Sequence, residues 1–142
     1  MVGMKWDQSL SVGIDLIDEQ HKMLIQRIND LATAVDRNQG SQKIIKTLDF
    51  LIDYTDYHFS TEEKHMVKNH YPGYNEHKQA HEDLKVTLGN LEGDFLEEGA
   101  TQDLAESINV FLVNWLIKHI HGIDVKFGAF LKEQGIEMAE DG

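Results

Sequence analysis

Four stretches of this chain carry apolar side chains alternately four and three residues apart, and only a few residues separate one stretch from the next. With about 3.6 residues per turn, that spacing gathers the apolar groups on one stripe of an α-helix, and such a stripe has to be buried. The first stretch runs from about Leu16 to Asp36, with Ile17, His21, Leu24, Ile28, Leu31 and Val35 in line. The second, about Gln42 to Lys68, aligns Ile44, Leu48, Leu51, Thr55, His58 and Glu62. The third, about Asn75 to Glu97, aligns His77, His81, Leu84, Leu88, Leu91 and Phe95. The fourth aligns Thr101, Ala105, Ile108, Leu112, Trp115 and His119. Gly40 and Ser41 read as a stop and an N-cap, Pro72 and Gly73 as a break, and Gly99 and Thr101 as a second stop and cap.

Connections this short make consecutive helices antiparallel neighbours, and the seam spacing favours a shallow crossing angle. The expected fold is therefore all-α: an antiparallel up-down-up-down four-helix bundle. An extended N-terminal lead, Met1 to Asp15, precedes it, with Trp6 and Ile14 expected to pack on the core. A length of 142 residues suits one hydrophobic core, and no repeat or low-complexity tract divides it. One domain over residues 1–142 is expected, with its core at about 14–131.

Composition removes several function classes. A formal charge of -12 repels phosphate, so nucleic acid is not an expected partner. The chain has no cysteine, which excludes disulfides, thiolate zinc sites and iron–sulfur clusters and leaves nitrogen and oxygen as metal donors. No stretch approaches the ~20 apolar residues of a membrane span, and the first residues lack a signal-peptide run, so a cytoplasmic location is expected.

Ionisable residues interrupt the apolar stripes at one level only. His21 lies near the start of the first helix, His58 and Glu62 near the end of the second, His77 and His81 near the start of the third, and His119 near the end of the fourth. In an up-down-up-down path those four ends coincide. His58/Glu62 and His77/His81 are each four residues apart, so each pair shares a helix face. Burying these groups without a cation costs several kcal/mol per ion, which points to a metal. Asp124 follows His119 by five residues, a rotation of about 500° that turns it away in a regular helix. A π-bulge eased by Gly122 is the expected remedy. His65, His70 and His121 are read as surface or supporting residues, Glu19 and Glu63 as solvated, and Gln20, beside His21 in sequence, as able to assist a ligand by hydrogen bonding.

The phrases GIDLIDEQH (13–21), HFSTEEKHM (58–66), YPGYNEHKQAH (71–81) and WLIKHIHGID (115–124) together resemble the hemerythrin family, in particular its single-domain bacterial members. The likeness spans Trp6 to about Phe130. It implies two Fe ions, cycling between Fe2+ and Fe3+, with an oxo or hydroxo bridge. His77, His81 and His119 would hold one iron, His21 and His58 the other, and Glu62 and Asp124 would bridge both. Two octahedral ions offer twelve positions. Five imidazoles, two bridging carboxylates and one bridging oxygen fill eleven, leaving one open on the two-histidine iron.

The function implied is non-enzymatic, reversible O2 binding for transport, storage or delivery. The expected pocket is apolar, with Ile17, Leu24, Ile25, Phe59, Trp115 and Ile123 around the ligands and Trp115, Ile25, Phe59 and Ile123 facing O2. An O2-consuming enzyme or a redox protein is the expected partner. The alternatives are a di-iron redox enzyme (peroxidase, oxidase or nitric-oxide handling) and an oxygen or redox sensor. Five imidazoles and only two carboxylates disfavour high-valent oxidative chemistry, and 142 residues leave no room for a fused output domain.

Overall fold

Each break in the apolar pattern ends a helix. A computed structural model of the chain describes residues 4–37, 39–99 and 101–138 and holds α1 (Asp15–Asp36), α2 (Ser41–Lys68), α3 (Tyr74–Glu98), α4 (Gln102–His119) and α5 (Val125–Glu133), with no strand among the described residues. A π-turn over Ile120–Asp124 joins α4 to α5, and a short 3₁₀ turn, Gln8–Leu10, lies in the lead. The long helices form the antiparallel four-helix bundle that the sequence predicts. Met1 to Gly3 of the expected lead and residues 139–142 of the expected domain lie outside the described residues.

The helix ends follow local chemistry. Thr101 caps α4, its Oγ1 accepting from the Leu104 amide at 3.2 Å. Ser41 does not cap α2. It is the first helical residue, and Gly40 holds the capping position at φ 90° without a side-chain bond. The turn out of α1 needs that positive φ, which an L side chain resists, so the glycine takes the place that the sequence assigns to serine.

α1 packs on α2 and α4, and α2 packs on α3. α3 closes on α4 where the His77 and His81 rings each lie 5.1 Å from the His119 ring. Above that level the core is aliphatic, with Leu31, Leu48, Leu51, Leu88 and Ile108 almost wholly buried. Each such side chain contributes roughly 1.5–3 kcal/mol by leaving water.

The lead runs beside α1 to the bundle end that carries the histidines. Asp18 accepts from Ser11 Oγ at 2.6 Å and from the Val12 amide at 2.9 Å. Asn29 exchanges two hydrogen bonds with the Met4 backbone, at 2.7 and 2.6 Å. Leu10, Val12 and Ile14 are buried, and Trp6 is half-buried against the core beneath the Lys22 ammonium. Gly128 of α5 lies so close to Val12 that a Cβ there would sit 2.4 Å from the Val12 carbonyl oxygen. None of the helices among the described residues is long and apolar enough to cross a membrane.

Candidate metal centre

The antiparallel path brings four helix ends to one depth. The first turns of α1 deliver His21, and the last turns of α2 deliver His58 and Glu62. α3 opens with His77 and His81, α4 closes with His119, and the π-turn closes with Asp124. All seven side chains are buried, with none more than 4% exposed. Asp124 reaches the others through the π-turn, as its spacing from His119 requires. Gly122 within that turn has no positive φ and open space around its Cβ position, so glycine's backbone freedom is not what permits the bulge.

Distances define two overlapping donor groups. Asp124 Oδ1 lies 2.9 Å from His77 Nε2 and 3.1 Å from His119 Nε2, while Oδ2 lies 3.0 Å from His21 Nε2. Glu62 Oε1 lies 3.0 Å from His58 Nε2, 3.5 Å from His81 Nε2 and 3.9 Å from His77 Nε2. One group comprises Glu62, His77, His81, His119 and Asp124, and the other His21, His58, Glu62 and Asp124. Within each, one donor atom per residue lies within 4.8 Å of all the rest. Both groups contain the two carboxylates.

The residues fit a pair of cations. Two donors about 2.1 Å from one ion and at right angles lie about 3 Å apart, the separation seen for the closest pairs. The Nε2 atoms of His21, His77, His81 and His119 and both oxygens of Glu62 and Asp124 are buried with no hydrogen-bond partner. Each such orphan costs ~1–3 kcal/mol, more where it is charged, and a bound cation satisfies them together.

The electrostatics favour ionised carboxylates. Burial and the Asp124 charge push the Glu62 carboxyl up, but His58 and His81 pull harder and hold it far below its ordinary range. Burial likewise opposes ionisation of Asp124, and His119, His21 and His77 outweigh it. Burial disfavours the His77 imidazolium, yet Asp124, then Glu62, raise its pKa on balance. Protons and cations thus compete for the same atoms.

Two of the clustered histidines have supports on other helices. Gln20 supports one of them by hydrogen bonding, as the sequence suggests, and the histidine is His58 rather than the adjacent His21. The Gln20 Oε1 accepts from His58 Nδ1 at 2.6 Å, crossing from α1 to α2. Glu63 is not solvated: its side chain is 17% exposed, and Oε2 accepts from His81 Nδ1 at 2.8 Å. One position past Glu62, Glu63 points about 100° further round α2 and meets α3. Glu19 is exposed and paired with Lys22. His65 is buried, its Nδ1 donating to the Thr61 carbonyl at 2.8 Å; His70 is exposed, and exposed His121 meets the Ser9 carbonyl at 3.1 Å.

Aromatic rings flank two of the histidines. Phe59 stacks on His81 at 3.7 Å with an interplanar angle of 6°, and Trp115 stacks on His119 at 4.3 Å and 14°. Both rings also line an apolar cavity of about 20 Å³, together with Leu24, Ile28, Leu51, Thr55, Leu84, Leu112 and Leu116. Ile25, which is buried, and Ile123, which is half-buried, are not among its lining residues.

The family model of the hemerythrin HHE cation binding domain matches residues 12–131. The chain is 32% identical over 141 residues to the bacteriohemerythrin of Stenotrophomonas maltophilia, covering 99% of this chain and 90% of that protein. It is 33% identical over 122 residues to the myohemerythrin of Sipunculus nudus, covering 86% of this chain and 88% of that one. A crystal structure of wild-type hemerythrin superposes with a TM-score of 0.78 at 30% identity, covering 89% of this chain and 95% of the other.

Proposed function

This chain belongs to the hemerythrin family, and from that premise we propose that it binds O2 reversibly and without catalysis, at two iron ions held by His21, His58, Glu62, His77, His81, His119 and Asp124. The observation that carries the reading is the sharing of Glu62 and Asp124 by two donor groups with unequal numbers of histidines, three in one and two in the other. When bound, the iron pair supplies the two electrons that O2 takes up on binding and returns on release. The protein's own residues do the rest.

Glu62 and Asp124 belong to both donor groups, so they would hold both ions, and their two negative charges would offset part of the cationic charge. The group with two histidines has one protein donor fewer and would leave the room for O2. Phe59 and Trp115 fix the His81 and His119 ring planes by stacking, which limits the rotation that would release either imidazole. Leu24, Leu112 and Leu116, with Phe59 and Trp115, exclude water from the side facing the bundle core. Thr55 lines that cavity too, but its hydroxyl already donates to the Leu51 carbonyl at 2.8 Å and is committed there. An apolar wall without free acids suits reversible binding, because it holds no proton to give to O2.

The reading extends to a single domain, located in the cytoplasm, that carries, stores or delivers O2 to a consuming enzyme or redox partner. The test is optical. Iron-loaded, reduced protein mixed with O2 develops a visible charge-transfer band and regains its starting spectrum under vacuum. Irreversible conversion to the diferric state on the first exposure would overturn the proposal.

A further inference from the structure

The two donor groups differ in more than histidine number. His81, in the three-histidine group, donates its Nδ1 proton to a carboxylate, Glu63, at 2.8 Å. His58, in the two-histidine group, donates its Nδ1 proton to a neutral amide, Gln20, at 2.6 Å. Both tautomers are set by the partners, since a carboxylate and an amide oxygen only accept and each Nε2 faces the shared carboxylates. Both bonds are short, so the difference between them is charge rather than length. Among the described residues, His21 and His77 have no partner on Nδ1. A carboxylate draws the ring proton toward itself, shifts electron density onto Nε2 and makes the imidazole the stronger donor; an amide does this weakly.

We propose that Glu63 and Gln20 are positioning residues that make the two metal positions electronically unequal, Glu63 biasing the three-histidine position toward the more highly charged ion and Gln20 leaving the two-histidine position the more easily reduced. The inference rests on the di-iron reading above and adds to it an order of oxidation. The three-histidine position has one more imidazole and a charged support. The two-histidine position, with the open site, has one fewer imidazole and a neutral support. The ion that prefers the ferrous state is then the one O2 meets. Glu63 is partly screened by water and lies within the field of Lys78, so its influence falls short of that of a wholly buried carboxylate.

The test uses the full chain loaded anaerobically with Fe(II), with ions per chain counted first and the loaded protein then titrated against an electrode through mediators. Each wave is one electron passing between the electrode and one ion. The parent binds two irons and shows two separated waves. Glu63→Gln keeps the shape, keeps two irons and moves the lower wave upward by a roughly 10- to 100-fold loss of ferric preference, or about 59–120 mV at 59 mV per tenfold for one electron. Gln20→Glu moves the upper wave downward, so the separation narrows from the other side. A purely structural role would change metal affinity for Zn(II) without narrowing the waves. If both variants load two irons with the parental separation, the proposal is overturned. If Glu63→Gln fails to load, Gln20→Glu decides alone, an unmoved upper wave overturning the proposal. A parent chain that holds fewer than two irons instead overturns the di-iron reading itself, and this inference with it.

Discussion

Replacing Gly128 with alanine tests whether the N-terminal lead is clamped against α5, the helix that continues from Asp124. An added Cβ lies 2.4 Å from the Val12 carbonyl oxygen and 3.2 Å from Val12 Cβ. Carbon and oxygen settle at about 3.3 Å, so lead and helix must part by about 0.9 Å. The lead has little slack, because the Val12 amide is held by Asp18 at 2.9 Å, and the same displacement stretches that bond past useful length. Overpacking costs ~1–3 kcal/mol and a lost bond to a charged acceptor ~1.5–3 kcal/mol; relief of one worsens the other, so they do not simply add. Against this, alanine gains ~1 kcal/mol over glycine inside a helix. The net is a loss of about 1–3 kcal/mol. With ~2.1 cal/mol/K per residue, a chain of 142 residues loses about 3–10 °C in melting temperature. Thermal melts by far-ultraviolet circular dichroism measure it, with Gly89→Ala as the control. Gly89 lies in α3 with nothing within 4 Å of its Cβ position, so that variant is expected to rise in melting temperature. A Gly128→Ala protein that melts as high as Gly89→Ala would refute the clamp.

Gly122→Ala, in the π-turn, gains about 0.4–1 kcal/mol in urea denaturation and keeps its metal, since φ is ordinary and the Cβ position is open; a variant that loses metal would show that the turn needs glycine. His77→Ala loses iron and metal-dependent stability together: at free metal 100 times Kd the parent gains ~2.7 kcal/mol, so a chelator lowers the parent's melting temperature far more than the variant's. Glu92 faces Asp49 and Asp53, and its carboxyl is raised to about 7, first by its hydrogen bond to Asp49, then by burial and by the charges of Asp49 and Asp53. The folded state therefore binds the extra proton between about pH 4.5 and 7, and stability falls as pH rises through that window. Glu92→Gln flattens this slope and is the more stable protein at pH 8 in urea titrations; an unchanged slope would exclude the Glu92–Asp49 pair as its source.

Much of this architecture was readable from spacing. The four helices begin and end within one or two residues of where the apolar stripes, Pro72, Gly99 and Thr101 put them. The π-turn was legible as a conflict: His119 and Asp124 are five apart, and a regular helix cannot aim both inward. The misreadings share a cause. Ser41 looked like a cap because the positive φ at Gly40 is invisible to residue type, and Gly122 looked like an aid to the bulge because glycine is commonly found where backbones distort. Glu63 looked solvated, and Gln20 had a supporting role but no identified partner, because each serves a histidine on another helix.

Periodicity along the chain, by itself, determined the helices, their order and the level at which each polar residue sits, because rise per residue and short connections leave an antiparallel path little choice. Residue identity set the donor types, since imidazoles and carboxylates are what the stripes carry at that level and the chain has no cysteine. Tertiary structure alone decided which side chains meet across helices: His58 with Gln20, His81 with Glu63, His21 with Asp124, Val12 with Gly128. The reason is geometric. One helix fixes angles about its own axis, whereas the rotation of each helix toward its neighbours is set only when all their side chains pack at once.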